Sequence, residues 1–344
     1  MTLHPLLIGD LQQHFLRWYD PAQWSGLFII CDTHTEEHCL PVLWQKTGLP
    51  ANTPRIAVTP GEIHKTLDTC QRIWAAMFEA QLDRRALVLN LGGGVVGDMG
   101  GFCAATYKRG VGFVQIPTTL LSATDASVGG KLGIDFQTVK NAVGVFQNPA
   151  AVFLDASFFQ TLSQRELYSG YAEVVKHALI GAPDLWAQLR TRTHLNGVDW
   201  SQVLRDSVAV KITVVEQDPL EKGLRAILNY GHTIGHALES YFLHTSEPLT
   251  HGEAIAWGMV CESRIQEKRR PETVGAVRSD ELEAYFAHFY PRRTLPTGAL
   301  DDIWALMHQD KKNQSGQIKM SLPGQNPLEL TWVLPEKADV AAVL

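Results

Sequence analysis

The sequence predicts an α/β chain, with a doubly wound, parallel-sheet N-terminal domain followed by a mostly α-helical C-terminal domain. Three observations predict it. Short continuous apolar runs alternate with stretches of helical periodicity as far as Asp155, the pattern of a parallel sheet wrapped by helices. A glycine-rich turn follows one of these runs directly. Beyond Asp155 the β-branched runs thin out, and residues 163–270 carry long helical periodicity. At 344 residues the chain exceeds what one hydrophobic core usually serves. The boundary falls near 156–162, giving domains of 1–158 and 159–344.

Taken in order, Leu27–Cys31 is a short apolar run ending at Asp32, the form of a buried strand. From Glu62 the apolar residues fall at Ile63, Leu67, Cys70, Trp74, Met77 and Phe78, which is helical spacing. Ala86–Leu91 is a second buried strand and runs straight into Gly92–Gly97. Val114–Thr119 and Ala151–Asp155 supply two more, and Ile318–Leu322 reads as one late strand. The chain has no internal repeat and no low-complexity stretch.

Composition narrows the function. Apolar content of 45% excludes a mostly disordered chain. The formal charge of −6, from 30 Lys+Arg against 36 Asp+Glu, argues against a nucleic-acid partner, whose footprint is a basic excess. An anionic ligand must therefore be held by a local basic cluster. No apolar run reaches the roughly 20 residues that span a bilayer, so no membrane partner is expected. The five cysteines are odd in number and scattered, as reduced thiols are, and the N-terminus lacks a basic leader, so a soluble, cytoplasmic protein is expected. Cys31, His34, His38 and Cys39 crowd together, but their spacing fits none of the usual zinc patterns.

Three sets of residues carry chemistry. Gly92-x-Gly94-x-x-Gly97 lies between a strand and a helix, where backbone N–H groups approach a pyrophosphate. The acid expected about 20 residues further on is missing, so the dinucleotide fingerprint is incomplete. Gly231-His-Thr-Ile-Gly-His236 sets two imidazoles on one helix face, a spacing zinc commonly uses with a third ligand from elsewhere. Thr233 stands where a metalloprotease needs glutamate. His251 is a natural third nitrogen, and Glu173 is a carboxylate on an otherwise apolar helix. Lys131, Lys140, Lys176, Lys211 and Arg225 sit in glycine-rich or apolar settings rather than in charge runs.

These pieces resemble the 3-dehydroquinate synthase family from about Asp32 to Leu322. The matching blocks are Gly93–Asp98, Pro117–Thr119, Asp125–Lys131, Lys140–Asn141, Ala172–Lys176, Leu228–His236 and His251–Glu253. The resemblance implies a Rossmann-like NAD-binding domain, a helical second domain and an active site in the cleft between them. It implies NAD, one divalent metal (Zn2+ normally, Co2+ as the alternative) and a homodimer. By position, the metal ligands are Glu173, His232 and His251, which moves His236 from the metal to the substrate. The cofactor positions are Asp32, Glu62, Lys65, the turn Gly93, Gly94, Val95, Val96, Gly97 and Asp98, then Thr118, Thr119, Lys131, Lys140, Phe158, Phe159, Gln160 and Thr161. The substrate positions are Asp125, Lys131, Asn141, Lys176, Lys211, Arg225, Asn229 and His236. Arg109 would reach the neighbouring subunit's site, and Lys312, with Lys311 as the alternative, would close over it.

The substrate so implied is a small sugar-acid phosphate, 3-deoxy-D-arabino-heptulosonate 7-phosphate. Transient oxidation by NAD, phosphate elimination, reduction and an intramolecular aldol closure convert it to 3-dehydroquinate, the shikimate-pathway step towards aromatic amino acids. Two departures from the family pattern are local: Asp135–Val139 replaces a common Asn-His-Pro-x-Gly segment, and Leu132-Gly133 follows Lys131. Another sugar phosphate cyclase would dispense with a carboxylate-binding set, and a metal-dependent polyol dehydrogenase would dispense with the lysines and release NADH.

Overall fold

Uninterrupted apolar runs can be buried on both faces, and here they become adjacent parallel strands. The computed structural model describes residues 5–137, 139–219, 221–243, 245–309 and 317–344. They divide into two units, Met1–Ser163 with Trp200–Arg205, and Gln164–Asp199 with Asp206–Leu344. Among the described residues no helix is long and apolar enough to cross a membrane.

The first unit runs β1 (Leu6–Ile8), α1 (Leu11–Trp18), β2 (Leu27–Asp32), α2 (Thr33–His38), α3 (Leu40–Thr47), β3 (Arg55–Val58) and α4 (Leu67–Glu79). It continues through β4 (Leu87–Gly92), α5 (Gly94–Thr106), β5 (Gly112–Pro117), β6 (Lys131–Phe136), β7 (Val139–Phe146) and β8 (Ala151–Leu154). Six strands form one parallel sheet in the order β1-β8-β5-β4-β2-β3. Every residue of β4 is buried, because neighbouring strands and helices cover it on all sides. One face packs Phe28, Ile30, Val88 and Phe113 against Ile73 and Met77 of α4 and Met99 and Phe102 of α5.

One helix start differs from the sequence expectation, and β1, β3, β6 and β7 are strands beyond those expected. The helix read from Glu62 starts later. Glu62–His64 is a separate 3-10 turn with Ile63 81% exposed, and α4 begins after Thr66, whose hydroxyl accepts from the Thr69 N–H. The apolar period fitted, but the Thr66 cap sets the helix start. The antiparallel pair β6–β7 went unread. Leu132 and Ile134 of β6 join the core, whereas β7 is almost wholly exposed and shows no alternation.

The second unit holds α6 (Gln164–Gly181), α7 (Pro183–Leu189), most of α8 (Trp200–Gln217), α9 (His232–Phe242), α10 (His251–Arg269), α11 (Ser279–Phe286) and α12 (Ala299–His308). The antiparallel pair β9 (Met320–Pro323) and β10 (Leu330–Val333) precedes α13 (Lys337–Val343). The late strand read at Ile318–Leu322 is β9, shifted by two residues at its start.

α13 is tied to α10 through Asp339, which is 1% exposed. Its carboxylate accepts from the Glu336 N–H at 2.9 Å and pairs with Lys268 at 2.8 Å. Burial pushes this carboxyl up, but Arg269 and Lys268 outweigh burial and hold it at about 2. A depressed carboxylate contributes stability above its unfolded pKa and loses it as pH falls towards the folded one. Thermal unfolding should therefore lose stability between about pH 4 and pH 2 in part through this group. Asp339→Asn should lower the midpoint at neutral pH and flatten that acid limb, and an unchanged limb would contradict the assignment.

Candidate active site

In the first unit, the chain runs from β2 to β3 on one side and then crosses back past β2 to β4 on the other, so β2 and β4 flank the topological switch point. Ligands of open α/β sheets bind outside the carboxyl ends of strands at such a point. The two strand ends there are Asp32 and Gly92. Gly93 is the N-cap of α5 and offers no side chain, so the N–H groups of the helix start are left to a ligand or solvent. Asp32 spends Oδ1 on the Thr35 N–H at 2.8 Å, capping α2 from the end of β2. Thr118 follows β5, and its N–H donates to the Gly92 carbonyl at 3.0 Å. The Cys39 thiol, pushed up to about 11 chiefly by burial, lies against the hydroxyls of Thr118 and Thr161. Phe158 and Phe159 are buried and Gln160 and Thr161 exposed, on a 3-10 turn that Asp155 caps by accepting from Ser157 N–H at 2.8 Å.

Lys65 is the hub of this unit's polar set. Although 2% exposed, its ammonium donates to Asp98 Oδ2 at 2.7 Å and Asn141 Oδ1 at 2.6 Å, with Glu62 at 3.8 Å. Burial lowers the Lys65 pKa, but Asp98 and Glu62 raise it further than burial lowers it. The Lys65 carbonyl accepts from Asp135 N–H, and Asp135 Oδ1 accepts from Asn141 N–H at 2.7 Å. Thus the β6–β7 turn is pinned beside the α5 start, and Lys131, Lys140 and Asn141 are presented on its exposed side. The departing Asp135–Val139 segment has this bracing role through Asp135. Asp125 lies on the turn Ser122–Ala126, and Arg109 is exposed after α5 with φ +71°.

In the second unit, Glu173 of α6 is wholly buried. His232 Nε2 lies 3.5 Å and His251 Nε2 3.4 Å from Glu173 Oε1, and Lys176 pairs with Oε2. The ligand atoms of Glu173, His232 and His251 lie within 4.8 Å of one another. His232 Nδ1 donates to the Tyr230 carbonyl at 3.1 Å, and His251 Nδ1 to Glu239 Oε2 at 3.2 Å. A carbonyl and a carboxylate only accept, so the Nδ1 of each ring carries a proton and each Nε2 is turned towards Glu173. Burial lowers the His251 pKa, but Glu173 and Glu239 outweigh it and raise the imidazole to about 9, so the position favours positive charge. Two nitrogens and one carboxylate oxygen match the donor set of catalytic zinc sites, which keep a further position open.

Backbone contact sets this geometry. A Cβ at Gly252 would lie 2.1 Å from the Ser169 carbonyl oxygen, so only glycine lets α10 meet α6 here. Ser169 Oγ accepts from the Gly252 N–H at 3.1 Å. Ser169 and Glu173 are one helical turn apart, which brings His251 beside Glu173. The His236 ring lies 5.0 Å from that of His232 and 5.9 Å from that of His251, and His236 also groups with Glu239 and His251. Helical spacing alone offered both α9 histidines as ligands; Glu173 is grouped with His232.

Lys176, Lys211 and Arg225 are all at most 5% exposed, which is rare for such side chains unless paired. Arg225 is held by Asp218, which accepts from its N–H at 3.0 Å, while Nη1 donates to the Pro219 carbonyl at 3.0 Å. Asn229 Nδ2 donates to Glu221 Oε1 at 3.4 Å, an acid the sequence reading did not single out, because it lies in a polar stretch without periodicity. Lys311 and Lys312 lie outside the described residues. Cys31, His34, His38 and Cys39 do not appear among the metal-capable groups of the described residues, and burial pushes Cys31 up to about 12.

Two solved structures share the fold over nearly all of both chains. One is 2-deoxy-scyllo-inosose synthase complexed with carbaglucose-6-phosphate, NAD+ and Co2+, at TM-score 0.81 and 23% identity, covering 99% of this chain and 95% of that one. The other is 2-epi-5-epi-valiolone synthase from Streptomyces hygroscopicus with NAD+ and Zn2+ bound, at 0.82 and 23%, covering 100% and 96%. The chain shares the fold of these two synthases. At the level of sequence, residues 55–169 match the 3-dehydroquinate synthase N-terminal family and 170–313 the C-terminal family. The 3-dehydroquinate synthase of Parabacteroides distasonis is 38% identical, over 92% of this chain and 90% of the relative. That of Halorhodospira halophila is 40% identical, over 93% and 89%. The chain belongs to the 3-dehydroquinate synthase family.

Proposed function

We propose that the chain is an NAD- and metal-dependent lyase, a 3-dehydroquinate synthase, that converts 3-deoxy-D-arabino-heptulosonate 7-phosphate to 3-dehydroquinate and phosphate. The observation that carries this reading is the buried Glu173 facing two imidazole Nε2 atoms, in the same unit as the buried cations Lys176, Lys211 and Arg225. When bound, NAD supplies reversible hydride acceptance and the divalent metal, zinc or cobalt, supplies Lewis acidity.

Glu173, His232 and His251 fit the metal, and the uncapped start of α5 fits a pyrophosphate, with Asp32 and Glu62 supplying the acidic contacts the glycine fingerprint lacks. Lys131 and Asn141 on the β6–β7 pair suit a phosphate, and in the second unit the buried Lys176 suits an anionic substrate group. Arg225 is the planar partner for a carboxylate, its backbone held by Asp218. Lys211 and Asn229 complete that set, and His236 relays or orients protons beside the ligands. Lys140 and the segment Phe158 to Thr161 line the cofactor, and Asp125 contacts the substrate. Active chains are homodimers in which Arg109 extends to the site of a second copy. The five cysteines are free thiols, which fits a reducing compartment, and we assign the reaction to the cytoplasm.

The test is phosphate release from the carboxylate-bearing heptulosonate phosphate against a sugar phosphate without a carboxylate. Turnover of the acid alone is expected. Preference for the sugar phosphate without a carboxylate would contradict the assignment of Arg225 and move the chain to another cyclase activity.

A further inference from the structure

We propose that Glu262, on α10, is a positioning residue for the metal centre: its carboxylate supplies both halves of the N-terminal cap of α9, the helix that carries His232. This rests on the metal-centre reading above.

α9 begins at His232 with Gly231 as its N-cap, in the left-handed region at φ +79° and with no side-chain cap of its own. The usual capping residues cannot stand there. A Cβ at position 231 would lie 2.4 Å from Met259 Cγ and 2.9 Å from the Ile255 carbonyl oxygen, both on α10. Helix starts normally satisfy two N–H groups reciprocally: the N-cap side chain accepts from the third helical residue, and that residue's side chain accepts from the N-cap N–H. Here the third residue is Ile234, which has no acceptor. Glu262 replaces both partners at once. Its Oε2 accepts from the Gly231 N–H at 2.8 Å and its Oε1 from the Ile234 N–H at 3.0 Å.

The placement couples the two imidazoles. Glu262 lies eleven residues after His251 on α10, about three helical turns along the same side of the helix. One helix therefore presents His251 itself and fixes the turn that presents His232. Glu262 is 0% exposed, so withdrawing its oxygens leaves buried donors without a substitute in solvent. His232 is the first residue of that turn, and Glu239, which orients His251, is further along the same helix.

The test measures zinc affinity, by competition with a chromophoric chelator, on folded wild type, Glu262→Gln and Asp339→Asn. Gln offers one acceptor oxygen and sets an amide N–H against the other backbone N–H. The expected result is that Glu262→Gln weakens zinc binding about 10–100-fold, the usual cost of losing an orienting partner. Asp339→Asn removes a different buried helix cap, so it should lower the unfolding temperature and leave zinc affinity unchanged. Wild-type zinc affinity in Glu262→Gln would overturn the inference while leaving the metal centre standing. Absence of zinc uptake by the wild type would overturn the metal centre and this inference with it. Should Glu262→Gln not yield folded protein, Glu262→Asp, which withdraws the carboxylate by one methylene, is read in the same way.

Discussion

Glu173→Gln should abolish stoichiometric metal uptake and lower turnover by roughly a thousandfold, while the helical unit keeps its circular dichroism. The amide is nearly isosteric, so packing on α6 is retained. What is lost is the charge between His232 Nε2 and His251 Nε2, at 3.5 and 3.4 Å, and the charge opposite Lys176. A Lewis acid contributes several kcal/mol of transition-state charge stabilisation, and each 1.36 kcal/mol is tenfold in rate, which sets the size of the effect. Metal analysis of the purified variant checks it. Full occupancy with wild-type turnover would remove Glu173 from the ligand set.

Lys65→Met should destabilise the first unit by about 3 kcal/mol, the lower end of the range for breaking a buried pair, because Asp98 keeps some solvent contact. Three acceptors meet one ammonium here: Asp98, Asn141 and, at 3.8 Å, Glu62. Burial already pushes the Asp98 carboxyl above the ordinary carboxylate range, and Lys65 opposes that shift. Without Lys65 the carboxyl rises further, so the penalty should be largest near neutrality and shrink as acidification protonates Asp98. Denaturant midpoints at two pH values read this directly. A penalty that does not change with pH would place the effect in packing rather than in the Asp98 charge.

Much of the fold was legible because burial on both faces leaves a simple trace. β2 and β8 are short apolar runs, β4 and β5 are apolar but for Asn90 and Gln115, and the glycine turn follows β4 as expected. The exposed strand β7 left no such trace, since Lys140, Asn141 and Gly144 break its apolar residues and its burial does not alternate. The candidate metal centre was half legible. Spacing put His232 and His236 on one face, but the choice between them depends on where α6 carries Glu173, and that follows from the Gly252–Ser169 contact between distant segments. Lys65 could be assigned to the cofactor by resemblance, yet its bracing of Asn141 is a contact across 76 residues. Glu262 was invisible for the same reason. Its partners are backbone N–H groups, which have no sequence signature of their own.

The central claim is that the cofactor is used and restored within each turnover. Phosphate released per NAD, followed alongside NADH absorbance on metal-loaded enzyme and the heptulosonate phosphate, tests it most directly. Many phosphates per NAD, no net NADH, and loss of turnover on chelation are expected. NADH accumulating in step with product, or metal-loaded enzyme that releases no phosphate, would contradict it.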